Sequence, residues 1–334
     1  MRLIPLLLLV VAMSCVAAPP AGDCTRARPE PVGEVLVTPR APQRPVEWTL
    51  GRQFDHVLMV VLENKDYDEV ISHPYFRDLA GRGALFTRFS GLFHPSYANY
   101  LAMVGGRHFP TSDHKVTRLR DAASIADLFD AKGLSWRQYA EGFPGQCSLA
   151  HGSKETRYTA RHVPFLSFES ITSNPNRCRN IMSGERFDPE NLPNYALYVP
   201  DLCRAGHDKC GMFSGRLNQS ATWLDGFLAP LLKSPDIMRD TLIVVTFDES
   251  SDQTNNHVYT VFLGAGIVPG TRVDECYDHY NVLRTIEDNF KLGTLAGEDA
   301  RSAPIVSVFH TGRKPGQGAR ASSGRLPDQY AGIR

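Results

Sequence analysis

Two apolar runs in this sequence stop at side chains able to hold a cation. Leu242-Ile243-Val244-Val245-Thr246-Phe247 ends at Asp248-Glu249, and Val57-Leu58-Met59-Val60-Val61-Leu62 ends at Glu63-Asn64. Continuous apolar, β-branched runs of this length read as strands buried on both faces. Residues just past such strands lie at the carboxyl edge of an open α/β sheet, where ligands bind. Carboxylate and amide oxygens from two such edges form a hard donor set, suited to a divalent metal. One acidic pair after a strand is commonplace; two begin to describe a site.

A third cluster supplies a nucleophile. In Phe93-His94-Pro95-Ser96-Tyr97-Ala98-Asn99-Tyr100, Ser96 stands at the start of a helical run that continues to Val104 and meets Gly105-Gly106. A helix N-terminus presents N–H groups and positive dipole to anions. Free serine is a weak nucleophile and metal coordination is one way to activate it. A serine in that place also serves simply as a helix cap. Proton carriers come from three further segments: His279 at the start of the helical pattern Val282, Leu283, Ile286, Phe290; His257, opening the strand after Asp248-Glu249; and Asp201 with His207 and Asp208 in the Cys-bracketed loop after Val199. A lone histidine is ordinarily a hydrogen-bonding residue, but several beside strand-end carboxylates point to catalysis.

The elements that must position these groups alternate along the chain. Strands are expected at 57–62, 84–89, 136–139, 196–199, 242–247 and 258–263, with helices at 75–82, 124–132, 220–233 and 281–290. That order predicts a mostly parallel central sheet with helices on both faces. Ser124 and Asp127 have the spacing of a capping box. Residues 144–194 show little periodicity and read as an insertion or cap near the site.

The chain of 334 residues is formally neutral, with 22% charged residues, which argues against a nucleic-acid partner. Arg2 followed by the apolar stretch Leu3–Ala12 has the layout of an export signal and is too short to span a bilayer. Val11-Ala12-Met13-Ser14-Cys15 loosely matches a lipobox, so Cys15 is either a lipid anchor, the one membrane attachment expected, or lost with the signal. The expected organisation is a signal at 1–15, a proline-rich linker at 16–50, a catalytic domain at 51–311 and a Gly/Arg/Ser-rich disordered tail at 312–334. Six cysteines remain beyond Cys15: Cys24, Cys147, Cys178, Cys203, Cys210 and Cys276. An even number in an exported chain suggests disulfides, with Cys203 and Cys210 able to close a small loop and the other pairings open.

Taken in order, Glu63-Asn64 with Tyr67, His94-Pro95-Ser96-x-x-Asn99-Tyr100-Leu101, Val199-Pro200-Asp201, Asp248-Glu249 and His279-Tyr280-Asn281-x-Leu283-Arg284-Thr285-Ile286-Glu287 resemble the phosphoesterase family of secreted acid phosphatases and phospholipases C, within the alkaline phosphatase superfamily. The likeness spans about 54–310 and is closer to the short acid phosphatases. It implies an alkaline phosphatase-like three-layer α/β/α sandwich and a metal-dependent phosphomonoesterase forming a phosphoserine at Ser96. It further implies Glu63, Asn64, Ser96, Asp248 and Glu249 as metal and phosphate contacts, Asp201 and His207 at a second metal position, and His279 or His257 as proton donor. Asn99 is expected to bind substrate, and Arg161-His162-x-Pro164 resembles a family element that puts His162 on the phosphate. Ala98 and Val163 depart from the family's usual residues without removing a catalytic group. The rival on the same fold is a phospholipase C or other phosphodiesterase; the remote one is a non-catalytic binding protein that keeps the scaffold.

Overall fold

The computed structural model describes residues 48, 50–111, 116–145, 147, 152, 155–211, 215–251 and 255–310. The expected signal, lipobox, most of the linker, Cys24 and the expected tail lie outside the described residues. Among the described residues there are ten strands: β1 His56–Leu62, β2 Ala84–Phe86, β3 Phe89–Ser90, β4 Trp136–Ala140, β5 Ile181–Ser183, β6 Tyr195–Val199, β7 Thr241–Phe247, β8 Thr260–Gly264, β9 Thr271–Val273 and β10 Tyr277–Asp278. Eight form one sheet in the order β5-β4-β6-β1-β7-β8-β2-β9, and β10 pairs with β3. From β5 to β7 every pairing is parallel; β8 alone runs against both its neighbours.

Both central strands are buried along their length, β1 from Val57 to Leu62 and β7 throughout. Strands without a polar face need cover on both sides, and the helices supply it in two groups. Helices Ser96–Gly105, Ile125–Ala131 and His279–Phe290 pack together, while Tyr67–Ser72, Pro74–Gly81, Arg216–Lys233 and Pro235–Asp240 form the other group. The mixed α/β architecture expected from the alternating pattern is the one observed. The Ser124–Asp127 capping box forms, with the Ser124 N–H donating to Asp127 Oδ2 at 2.7 Å.

One expectation is corrected. The run 84–89 is not one strand: β2 stops at Phe86, and β3 starts at Phe89 in a separate ribbon. The 144–194 segment holds β5 and short helical turns, and the Cys147–Cys178 disulfide staples it. At the end of the expected linker, Trp48 packs edge-on against Phe309 at 5.9 Å. Cys203 and Cys210 pair as their spacing suggests, and Cys276 is also disulfide-bonded. No helix among the described residues is long and apolar enough to cross a membrane.

One buried acid ties the fold to pH. Glu287, fully buried on the helix that starts at His279, is pushed up to about 10 by burial and then by neighbouring Asp299; Asp288 adds to this and Arg284 opposes it. The folded chain therefore keeps a proton that the unfolded chain releases above the ordinary Glu value of about 4.3. That stability is fully present below the ordinary value and fades as pH rises toward 10. The melting temperature should fall between about pH 5 and pH 9, and Glu287→Gln, which cannot ionise, should flatten the decline. Thermal melts of both proteins across that range check this; parallel curves would refute it.

Candidate active site

The site begins with a register. Leu62 of β1 pairs with Phe247 of β7, so the two strands end level and Glu63 and Asp248 emerge side by side. The ladder runs one bond further, from the Asp248 N–H to the Leu62 carbonyl at 3.0 Å. Asn64 then turns the chain with φ of 41°, a left-handed conformation that Asn tolerates better than most residues. Its N–H donates to Asp248 Oδ1 at 3.2 Å, tying the two strand ends together.

Into this edge comes the N-terminus of helix Ser96–Gly105, with Ser96 as its first residue. Ser96 Oγ lies 2.9 Å from Glu249 Oε1, 3.0 Å from Asn64 Oδ1 and 3.2 Å from Glu63 Oε2. A hydroxyl has one proton, so it cannot donate to all three. The remaining oxygen–oxygen approaches need a carboxyl proton or a cation. Glu63 and Asp248 are fully buried. Burial first, and then a neighbouring carboxylate, pushes both well above the usual carboxylate range: Asp248 acts on Glu63, and Glu249 acts on Asp248. Asp248 Oδ2 is buried without a hydrogen-bond partner. This is an electron-rich hollow built to receive positive charge. Among the described residues no three His, Cys, Asp or Glu side chains already stand at metal-cage spacing. A cation here would rely on the neutral oxygens of Asn64 and Ser96 as much as on carboxylates.

Around the hollow, Asn64, Pro95, Ser96, Tyr97, Arg161, His162, His207 and Glu249 line a pocket of about 210 Å³. His162 is buried, stacks on Tyr100 at 4.9 Å and places Nδ1 3.3 Å from Glu63 Oε1. Burial, then the charges of His207 and Arg161, holds His162 well below its ordinary value. Its contact with Glu63 is a close nitrogen–oxygen approach in a buried setting. Tyr100 also donates to Glu63 Oε1, and His94 Nδ1 lies 2.7 Å from Glu249 Oε2.

The expected residues separate into those the fold gathers and those it does not. Glu63, Asn64, Ser96, Asp248, Glu249, His162 and His207 are gathered at or beside the pocket. Asn99 is fully buried, accepts from the N–H groups of Leu92 and Phe93 at 2.9 Å each and donates to the Phe93 carbonyl at 2.7 Å. It shapes the loop leading to Ser96. The Asp201 carboxylate caps its own loop, accepting from the N–H groups of Cys203 at 2.8 Å and Arg204 at 2.9 Å, while His207 lines the pocket. His257 is held away by Thr87, whose carbonyl lies 2.9 Å from Nε2, and by stacking on Tyr67 at 4.2 Å. His279 is buried, donates from Nε2 to the Asp248 carbonyl at 2.9 Å and is pushed down to about 4 by burial. It braces the Asp248 backbone.

Sequence reasoning passed over His94, Tyr100 and Glu141. Tyr100 stands four residues after Ser96, so helical spacing alone puts both on one face. Glu141 directly follows β4, the same strand-end placement that picked out Glu63. It is buried and pushed above the ordinary Glu value by burial. It accepts from Tyr198 Oη at 2.9 Å and the Asp201 N–H at 3.0 Å and pairs with Arg204 at 2.9 Å. It anchors the loop that carries His207.

A family model described as Phosphoesterase family matches residues 71–293. A probable acid phosphatase of Kluyveromyces lactis is 35% identical, over 75% of this chain and 61% of its own. An acid phosphatase of Aspergillus fumigatus is 32% identical, over 80% of this chain and 61% of its own. The chain thus spans about three fifths of the length of these fungal relatives. A phosphatidylinositol-3-phosphatase of Mycobacterium tuberculosis is 28% identical, over 77% of this chain and 83% of its own. The crystal structure of a Vibrio parahaemolyticus protein in the alkaline phosphatase superfamily superposes with a TM-score of 0.55 at 12% identity, covering 80% of this chain and 77% of that one. It shares the fold.

The Asn99 clamp gives a direct test of how the Ser96 loop is held. Asn99→Ala strands two half-buried N–H groups and should cost about 1–3 kcal/mol of stability, read by urea denaturation. A loss within about 0.5 kcal/mol of zero would refute the clamp.

Proposed function

The chain belongs to the phosphoesterase family, and from that premise we propose that it is a metal-dependent phosphoric ester hydrolase, a phosphomonoesterase of the acid phosphatase kind, acting through a phosphoserine at Ser96. One observation carries the reading: Ser96 opens a helix and stands within 3.2 Å of oxygens from two level strand ends. A hydroxyl so placed faces a phosphoryl group with the helix N–H groups behind it. The orphaned Asp248 Oδ2 and the crowded oxygens around Ser96 fit a hard divalent cation held by Glu63, Asn64, Ser96, Asp248 and Glu249. Such an ion, when bound, neutralises the carboxylates, favours the serine alkoxide and polarises the phosphoryl oxygens.

The chain's own residues do the rest. Ser96 Oγ attacks phosphorus in line, and its proton has an acceptor in Glu249 Oε1 at 2.9 Å. Glu249 is steadied by His94, and Glu63 by Tyr100 and His162, so the donor set keeps its shape through the reaction. Water then cleaves the phosphoserine. Export fits the Cys147–Cys178 and Cys203–Cys210 disulfides, which persist in oxidising compartments. Retention of both nucleophile and donor set weighs against a non-catalytic scaffold.

Ser96→Ala should lower phosphomonoester turnover by about 10³-fold or more while the circular dichroism spectrum and melting temperature stay near those of the parent. Activity that survives this substitution would remove Ser96 from the chemistry. Dialysis against EDTA should abolish turnover, and a divalent ion should restore it. Metal analysis should find the ion in the parent and much less in Asp248→Asn; equal metal content in the two proteins would sink the donor assignment.

A further inference from the structure

Resting on the Ser96 reading, we propose that His207, oriented by Asp208 and Arg157, is the group that protonates the departing alcohol. His207 lines the same pocket as Ser96 and Glu249. Its Nδ1 lies 2.8 Å from Asp208 Oδ1. A carboxylate only accepts, so Nδ1 carries hydrogen and Nε2 is the ring atom left for the pocket. The other Asp208 oxygen, Oδ2, lies 3.5 Å from Arg157 Nη1, so the carboxylate is itself held from behind. A base oriented by a third group is the arrangement expected of a working acid–base histidine.

The loop carrying it is fixed at several points. The Cys203–Cys210 disulfide closes it, the Asp201 carboxylate caps it, and Glu141 grips the Asp201 N–H and Arg204. Gly206, with φ of +97°, makes the turn before His207 in a region essentially closed to other residues. The Ala205 carbonyl accepts from the Glu63 N–H at 2.9 Å, which ties the loop to the strand end bearing the donor set.

The other histidines near Ser96 are turned to the donor set. His162 binds Glu63, His94 binds Glu249, and His279 donates to the Asp248 backbone. His207 differs in being 42% exposed at the pocket with a carboxylate on its far nitrogen. In the step proposed, the Ser96 Oγ–P bond forms and the bond from phosphorus to the ester oxygen breaks. The imidazolium Nε2 proton goes to that oxygen, giving the free alcohol and neutral His207, and the Ser96 proton goes to Glu249. Charge and atoms balance without another reactant.

The test uses the full chain and two probes, 4-nitrophenyl phosphate, whose anion leaves readily, and glycerol 2-phosphate, whose alkoxide does not. kcat/KM is compared because it covers the steps up to departure of the alcohol. His207→Gln should cut kcat/KM for the alkyl ester by about 10²–10³-fold and for the nitrophenyl ester by less than about 5-fold. Asp208→Asn should show the same inequality in weaker form and guards against a variant that fails to fold. Equal losses on both esters, or no loss on either, would overturn the proposal. Ser96→Ala run beside them separates the two readings: activity retained there defeats the nucleophile whatever His207→Gln does, whereas an inactive Ser96→Ala with equal losses in His207→Gln defeats only the proton donor.

Discussion

The level termination of β1 and β7 is the constraint from which the rest follows. Because Leu62 pairs with Phe247, the next residue on each strand is a carboxylate, and Glu249 comes directly after. Two unit charges about 4 Å apart repel by about 4 kcal/mol even at an effective dielectric of 20. The interior cannot hold Glu63, Asp248 and Glu249 all ionised without a counter-charge, which is why Glu63 and Asp248 are driven toward their protonated forms. The buried sheet supplies the rigidity that keeps them together. An unstable arrangement of charge on a very stable support is what a binding site looks like when its ligand is a cation.

That support extends through residues that never meet a substrate. Asn99 clamps the loop before Ser96 from inside the helix that Ser96 opens. Glu141 spans from the end of β4 to the loop after β6, and His279 braces the backbone at Asp248. Each is a buried polar side chain with its bonds directed at backbone groups or at a fixed partner. Networks of this kind rigidify a site because any loosening leaves a buried group unpaired.

The sequence disclosed these features unevenly, for physical reasons. β1 and β7 were legible because long apolar β-branched runs have few other uses, and the groups at their ends followed from the parallel sheet. Ser96 was legible from its place before a helical run. β5, β9 and β10 were not, since two or three residues carry no period. Nor was the reversed direction of β8, which depends on its neighbours and not on its own residues. Asp201 and Asn99 have side chains that suit either a ligand site or a backbone turn, and only their three-dimensional partners decide between the two. His257 and His279 sit where a sequence argument wants a proton donor, yet each has a backbone carbonyl as its nearest polar neighbour.

The charge on the two sides of the pocket finally orders the events at the site. Its floor is formed by the carboxyl groups of Glu63, Asp248 and Glu249, the first two driven toward their protonated forms, while Arg161 and His207 stand on the wall. A phosphoryl dianion approaching Ser96 meets that floor directly. The helix N-terminus behind Ser96 amounts to about half a positive charge, too little to offset several carboxylates. In the proposed reaction the floor is therefore neutralised, by its own protons or by a cation, before a phosphate ester seats against the hydroxyl. In the proposed reaction, cation binding and substrate binding are thus coupled by electrostatics, through the strand register that brings the carboxylates together.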